Sequence, residues 1–274
     1  MRRRERASAT APSSLVEAMA QAGLFRLWIP RTLGGEYGVF GGYLPPDAAR
    51  EIYGSDPLVI TGGAFRPAGQ AVIVDAGYRV TGRWPLGSGC QHSAWIVGGC
   101  RILDGDRLRL GPDGVPVMRL MFFPACSCEI LDTWHSIGLR GTGSRDYAGT
   151  DLFVPAARSL SFREPPSAPG PLYALPTIAL FGTVLGAVPL GIARHAIDIL
   201  TELAGTKIAT RSQQALREDA TMRGDLGRAE ALLRSGRAFL YEALDQAWQV
   251  VTAGETLSVT QRATMWLAST HAAT

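Results

Sequence analysis

The chain of 274 residues is 46% hydrophobic and 19% charged, a balance that excludes global disorder and fits a soluble protein with a substantial core. Its formal net charge of +3 is too small to argue for nucleic acid or an anionic membrane as partner, and most of the excess sits in Arg2, Arg3, Arg4 and Arg6. No apolar h-region follows that basic run, so it reads as a solvated tail and not as a secretory signal. Cys90, Cys100, Cys126 and Cys128 form no CxxC pairs and the four histidines are scattered, so no zinc spacing arises. The expectation is a reduced, cytoplasmic protein with buried or half-buried thiols, Cys126 and Cys128 falling at alternate positions of one strand.

In chain order, short helical pieces are expected at Val16–Phe25 and Pro46–Tyr53, separated by the glycine-rich Leu33-Gly34-Gly35-Glu36-Tyr37-Gly38. Short alternating runs then follow, bounded by Gly, Asp and Pro: Gln70 to Val74, Tyr78 to Trp84, Ala94 to Cys100, Arg107 to Leu110, Val117 to Phe123, Cys128 to Thr133 and Thr150 to Val154. They predict an antiparallel β domain, with Asp75-Ala76-Gly77 as a tight hairpin turn. After the Pro-rich linker Glu164 to Pro171 the period becomes helical. Leu172 to Ala193 carries no charge and is long enough to cross a bilayer. Its Pro176, Pro189, Gly182, Gly186 and Gly191, and its continuation into Arg194-His195-Ala196-Ile197-Asp198, favour a helix buried inside a bundle. Leu226, Ala229, Leu233, Gly236, Leu240, Leu244 and Ala247 share one stripe of a second helix, and Ser258-Val259-Thr260-Gln261 has the spacing of a capping box opening a third. Helices, then strands, then helices define an α+β chain with segments 1–56, 57–165 and 166–274. No GxGxxG follows a strand, which argues against a Rossmann site.

Two segments carry a resemblance. Gly77-Tyr78-Arg79-Val80-Thr81-Gly82-Arg83-Trp84-Pro85-Leu86-Gly87-Ser88-Gly89-Cys90-Gln91-His92-Ser93-Ala94-Trp95 and, further on, Asp132-Thr133-Trp134-His135-Ser136-Ile137-Gly138-Leu139-Arg140-Gly141-Thr142-Gly143-Ser144-Arg145-Asp146 with Phe153-Val154-Pro155 are similar to signatures of the acyl-CoA dehydrogenase superfamily, in its aromatic-hydroxylating flavin monooxygenase branch. Leu190 to Arg194 and Gly227 to Ala231 are compatible with it. The resemblance implies an N-terminal helical domain, a central β domain and a C-terminal helical bundle. It implies reduced flavin, FMN or FAD, supplied by a separate flavin reductase, with one oxygen atom of O2 passed to a small aromatic or polycyclic substrate, and a homo-oligomer, a tetramer in the family. An isoalloxazine needs a flat apolar wall, assigned to Trp84, and polar groups at its N5 edge, assigned to Ser88 and the Gly87 or Gly89 backbone. Arg211 is the candidate for flavin phosphates, and His92 and His135 are weak candidates for proton transfer, a core or surface role being the ordinary alternative. The Gly138–Ser144 segment suits either a phosphate or substrate edge or a bulged β corner.

The chain also departs from the pattern. Family members carry a long helical stretch where Ile29 to Gly35 here nearly joins Gly42 to Pro45, and they continue beyond the position of Thr274. The resemblance therefore also implies a shortened chain of doubtful activity, with the Leu226–Ala247 stripe exposed unless another subunit covers it. Two other functions stay open: an acyl-CoA dehydrogenase proper, and a flavin-free interaction subunit.

Overall fold

In the computed structural model of the chain, the described residues are 40–54, 59–208 and 214–274, with Ser14, Glu17 and Ala18 helical. The basic N-terminal run, most of the expected helix Val16–Phe25, the glycine-rich stretch 33–38 and Arg211 lie outside them. Two compact units are present, Met1–Pro169 and Gly170–Thr274.

The first unit is a sheet of eight strands: β1 (Thr61–Val74), β2 (Gly77–Trp84), β3 (Trp95–Asp104), β4 (Arg107–Leu108), β5 (Met118–Pro124), β6 (Glu129–Leu131), β7 (Asp146–Pro155) and β8 (Ser159–Leu160). Their order is β6-β7-β2-β1-β3-β5-β8, with β4 on β3. The α+β reading holds, but the sheet is mixed: β1 and β3 are parallel, and the other pairs are antiparallel. The connection explains the exception. A two-residue turn with Ala76 at φ 60° lays β2 along one side of β1. The segment 85–94 then crosses the start of β1, touching it through the bridge Gly63↔Ser88, and enters β3 on the other side in the direction of β1. Gly77 belongs to the strand and not to the turn; a Cβ there would lie 2.2 Å from the Val154 carbonyl oxygen.

β3 is buried from Ile96 to Cys100, as a central strand covered on both faces should be. Its Ile96, Cys100 and Ile102 join Trp84, Met121, Phe123 and Tyr147 in one core. Its Val97 joins Leu120, Phe122 and Leu160 against the helix α1 (Pro46–Tyr53), which buries Ala48, Ala49, Ile52 and Tyr53. Arg158 pairs with Glu51 of α1 and lies over the Trp95 ring at 5.1 Å, fastening the helix to the sheet. Ala125–Ser127 form a 3-10 turn, so Cys126 and Cys128 do not share a strand; Cys126 is exposed and Cys128 half-buried, while Cys90 and Cys100 are buried, all as free thiols.

The second unit holds α2 (Pro171–Ala174), α3 (Thr177–Thr206), α4 (Ala220–Thr252) and α5 (Val259–Ala273). The predicted run from Leu172 is broken at Leu175-Pro176, because the residue before proline is driven to the extended region. Asp219 caps α4 by accepting from the Thr221 and Met222 amides, and the expected Ser258–Gln261 capping box is formed at α5. The α4 stripe is covered, with Leu233, Gly236, Leu240 and Ala247 buried. Small residues let α3 and α5 approach: a Cβ on Gly186 would lie 2.9 Å from the Ser269 carbonyl oxygen, and Thr183 Oγ1 meets Ser269 Oγ at 3.3 Å. The uncovered surface is instead on α3, which is not buried as expected. Its most apolar window has a mean hydropathy of 1.6 and is only 28% buried. Ile178, Leu185, Val188, Ile192, Ile199 and Leu203 stand exposed at heptad-like spacing on one face, because α4 and α5 pack on the opposite side.

Candidate functional site

The two sequence signatures converge at one end of the sheet. Asp146, which begins β7, accepts from Arg83 Nε at 3.1 Å and Nη2 at 2.8 Å, and from the Leu86 amide at 3.3 Å. Its own amide donates to Thr133 Oγ1 at 2.8 Å. The Gly87 amide donates to the Arg145 carbonyl at 2.9 Å, and the Cys90 thiol points at the Arg145 and Gly143 carbonyls. Hydrogen bonding from Arg83, more than any other influence, holds the Asp146 carboxyl below the usual carboxylate range, while burial pushes the Cys90 thiol up.

Within the crossing segment, Leu86 sits at φ 58° and is 63% exposed. Such a conformation in a leucine costs about 1 kcal/mol and persists where surrounding contacts enforce it. Gly87 is buried against Tyr147; a Cβ there would fall 2.6 Å from its ring. Ser88 is exposed; its carbonyl accepts from the Gly63 amide at 2.9 Å and its hydroxyl has no partner among the described residues. Gly89 adopts φ 71°, where glycine alone is unstrained, and its carbonyl receives Ser93 Oγ and the His92 amide. Among the described residues, Gln91 Oε1 and His92 Nε2 are buried without a hydrogen-bond partner, as are Ser136 Oγ and Arg145 Nε on the facing segment. Buried polar atoms of this kind call for a ligand or ordered water.

The second segment is a built prong. Leu139 at φ 51° and Gly143 at φ 57° bracket a 3-10 turn at Arg140–Thr142. Trp134 Nε1 and Thr142 Oγ1 both donate to the Leu139 carbonyl, leaving Ile137 and Leu139 exposed. His135 is exposed on this segment, while His92 lies in the crossing segment.

Trp84, expected at the flavin, lies in the core of the β unit. Its indole is fully buried, stacked on Tyr147 at 5.2 Å and 16°, tilted on Phe123 at 5.4 Å, and donates from Nε1 to the Gly99 carbonyl at 2.7 Å. Gly69, Gly82 and Gly98 make room for it; a Cβ on Gly69 would lie 2.4 Å from Cζ2. No face of Trp84 is left for a flavin, and the exposed apolar residue of that motif is Leu86.

Sequence reading missed a second feature. Register shifts in β1 extrude Phe65 and Arg66 between Ala64 and Pro67. The ladder that the bulge breaks is mended by Tyr147, whose hydroxyl accepts from the Ala64 amide at 3.0 Å and donates to the Val97 carbonyl at 2.5 Å. The bulge carbonyls rest on Gly99, where a Cβ would meet Phe65 O at 2.2 Å. Burial pushes the Tyr147 hydroxyl well up, so it stays a neutral donor.

A mixed β unit followed by a unit of long helices is the architecture of the acyl-CoA dehydrogenase fold class. Residues 183–274 match the model described as Acyl-CoA dehydrogenase, C-terminal domain. The chain is 35% identical over 230 residues to an indole-3-acetate monooxygenase of Pseudomonas putida, covering 84% of this chain and 57% of that protein. It is 34% identical over 170 residues to the flavin-dependent monooxygenase oxygenase subunit HsaA of Mycobacterium tuberculosis (strain CDC 1551 / Oshkosh), covering 59% and 41%. Among solved structures it superposes on the 3-HSA hydroxylase of Rhodococcus sp. RHA1 with a TM-score of 0.83 and 25% identity, over 96% of this chain and 76% of that one. Residues 183–274 thus resemble the C-terminal domain of acyl-CoA dehydrogenases, and the chain is similar in sequence to proteins named as flavin-dependent monooxygenases. It spans little more than half, or less, of the two curated relatives named.

Proposed function

We propose that the chain acts as the oxygenase component of a two-component flavin-dependent monooxygenase, hydroxylating a small aromatic substrate with reduced flavin and O2. The observation that carries this reading is the convergence of both signatures through Asp146, which brings together the exposed Leu86, the Ser88 hydroxyl, without a partner among the described residues, and the left-handed Gly89. These groups fit an isoalloxazine edge: Ser88 provides a hydrogen-bonding hydroxyl, Gly89 permits close backbone approach, and Leu86 provides an apolar flank that excludes water. When bound, reduced flavin supplies the electrons for oxygen activation. Gln91 and His92 offer buried hydrogen-bonding atoms beside it, with His92 the better placed of the two candidate proton carriers. The same groups serve FMN and FAD.

The designation of a relative as an oxygenase subunit supports a separate flavin reductase as partner. The uncovered α3 face supports association with further copies, a tetramer in the family, and the free thiols support a reducing, cytoplasmic setting. The test mixes the purified chain with reduced flavin under anaerobic conditions, then adds O2 and an aryl substrate. Flavin retention and a hydroxylated product are expected. Failure to bind flavin, or bleaching of bound oxidised flavin by an acyl-CoA in the absence of oxygen, overturns the reading.

A further inference from the structure

Ser88 and Gly89, proposed above for the cofactor edge, are flanked by two residues that rest on one acceptor. The Gly87 amide donates to the Arg145 carbonyl at 2.9 Å, and the Cys90 thiol lies 3.7 Å from the same oxygen. That carbonyl is placed in turn by the neck of the loop 132–145. The β6–β7 ladder ends at Leu131↔Asp146, so Asp132 and Arg145 are the next residues to face each other, and they do so as an ion pair, Nη2 to Oδ1 at 3.1 Å. Opposite charges at such a cross-strand position extend the pairing by one more step. The Asp146 amide, donating to Thr133 Oγ1 at 2.8 Å, and the Arg145 amide, donating to the Gly143 carbonyl at 2.7 Å, complete the neck. The Arg145 side chain is 22% exposed against 70% for Asp132, so the guanidinium is the member built into the structure. Arg79, by comparison, pairs with Asp151 toward the opposite end of β2 from Trp84.

We propose that Arg145 is a positioning residue for the cofactor edge: paired with Asp132, it fixes its own carbonyl where Gly87 and Cys90 meet it, and so sets the place of the Ser88 hydroxyl between them. The proposal rests on the monooxygenase reading above only for what Ser88 meets. A hydroxyl on an ordered segment binds a ligand without first having to be immobilised, whereas one on a loose segment spends part of the interaction on that ordering. Arg145 therefore acts through Ser88.

The experiment uses the whole chain and reads it twice. In hydrogen exchange without ligand, Arg145→Gln and Asp132→Asn should each speed exchange of the Gly87 amide by roughly threefold or more, and Arg145→Lys should restore part of the protection. The Ile102 amide, which donates to the Val117 carbonyl at 3.0 Å further along β3, should be unaffected. In anaerobic titration with reduced flavin, the same two changes should weaken binding by roughly threefold to fivefold, the scale of a partly exposed ion pair. Made in a Ser88→Ala background they should cost nothing further, because the group through which Arg145 acts is gone. Arg79→Gln should leave both readouts as they are. Unchanged Gly87 exchange in Arg145→Gln and Asp132→Asn overturns the proposal, and so does a loss of flavin affinity as large with Ser88→Ala as without it. If Arg145→Gln does not fold, Asp132→Asn, altered at an exposed side chain, carries both measurements. An unaltered chain that binds no flavin sinks the monooxygenase reading, and the exchange rates still decide whether Arg145 holds the segment.

Discussion

Leu86 and Asp146 are sixty residues apart in the chain, yet the Leu86 amide donates to Asp146 Oδ1 at 3.3 Å. That contact fixes a leucine in the left-handed region at the tip of the crossing segment and ties the two signature loops into one surface.

Removing the Asp146 carboxylate should loosen both loops at once. Asp146→Asn is expected to cost about 1 kcal/mol in urea denaturation, since its partner Arg83 is largely exposed. The pH dependence has a definite sign. The folded-state pKa is lowered, so this stability is present above the ordinary carboxylate range and is lost as pH falls through the lowered value. Between neutral pH and pH 3 the unaltered protein should therefore lose more stability than Asp146→Asn, and parallel acid titrations of the two would show the assignment to be wrong.

Leu86→Gly separates fold from function. Relief of the positive φ should raise stability by up to about 1 kcal/mol, while loss of the apolar flank should weaken flavin binding severalfold. Thermal melts and flavin titration measure the two effects. Unchanged flavin affinity would remove Leu86 from the site.

Tyr147→Phe keeps the stacked ring but leaves the Ala64 amide and the Val97 carbonyl without their partner. The expected cost is about 1–3 kcal/mol, with faster hydrogen exchange at Ala64 than at Ala71 further along β1. A bulge amide protected as before would mean that the hydroxyl does not hold it.

Trp84→Ala should destabilise the β unit by about 3–5 kcal/mol, as expected for emptying a closed core site. Trp84→Phe is expected to fold with lower stability and near-normal flavin affinity. A stable Trp84→Phe protein with a large loss of flavin binding would restore the ring to the cofactor site.

The paired change Leu185→Glu and Ile192→Glu places charge on the exposed face of α3, where neither side chain supports the packing on α4 and α5. Sedimentation should show smaller particles than for the unaltered chain, with little change in helix content. An unaltered chain that already sediments as a monomer removes the association.

Local pattern determined much of this. The hairpin at Asp75-Ala76, helix α1, the Ser258 cap that begins α5 and the buried stripe from Leu233 to Ala247 follow from neighbours in the chain. The two signatures meet through Asp146, and Leu190–Arg194 and Gly227–Ala231, weak separately, meet as Arg194 Nη1 and Glu230 Oε2 at 2.6 Å. The roles within the segments were decided by long-range packing. Alternation along a strand says that Trp84 and Leu86 share a face, but the strand ends at Trp84, and the turn to φ 58° sends Leu86 outward while Gly69 and Gly98 on other strands, with Gly82 on its own, admit the indole to the core. The parallel pairing of β1 with β3 and the bulge at Phe65 and Arg66 depend likewise on contacts across the sheet. One-dimensional periodicity records which residues are apolar; which of them are covered depends on what the rest of the chain lays over them.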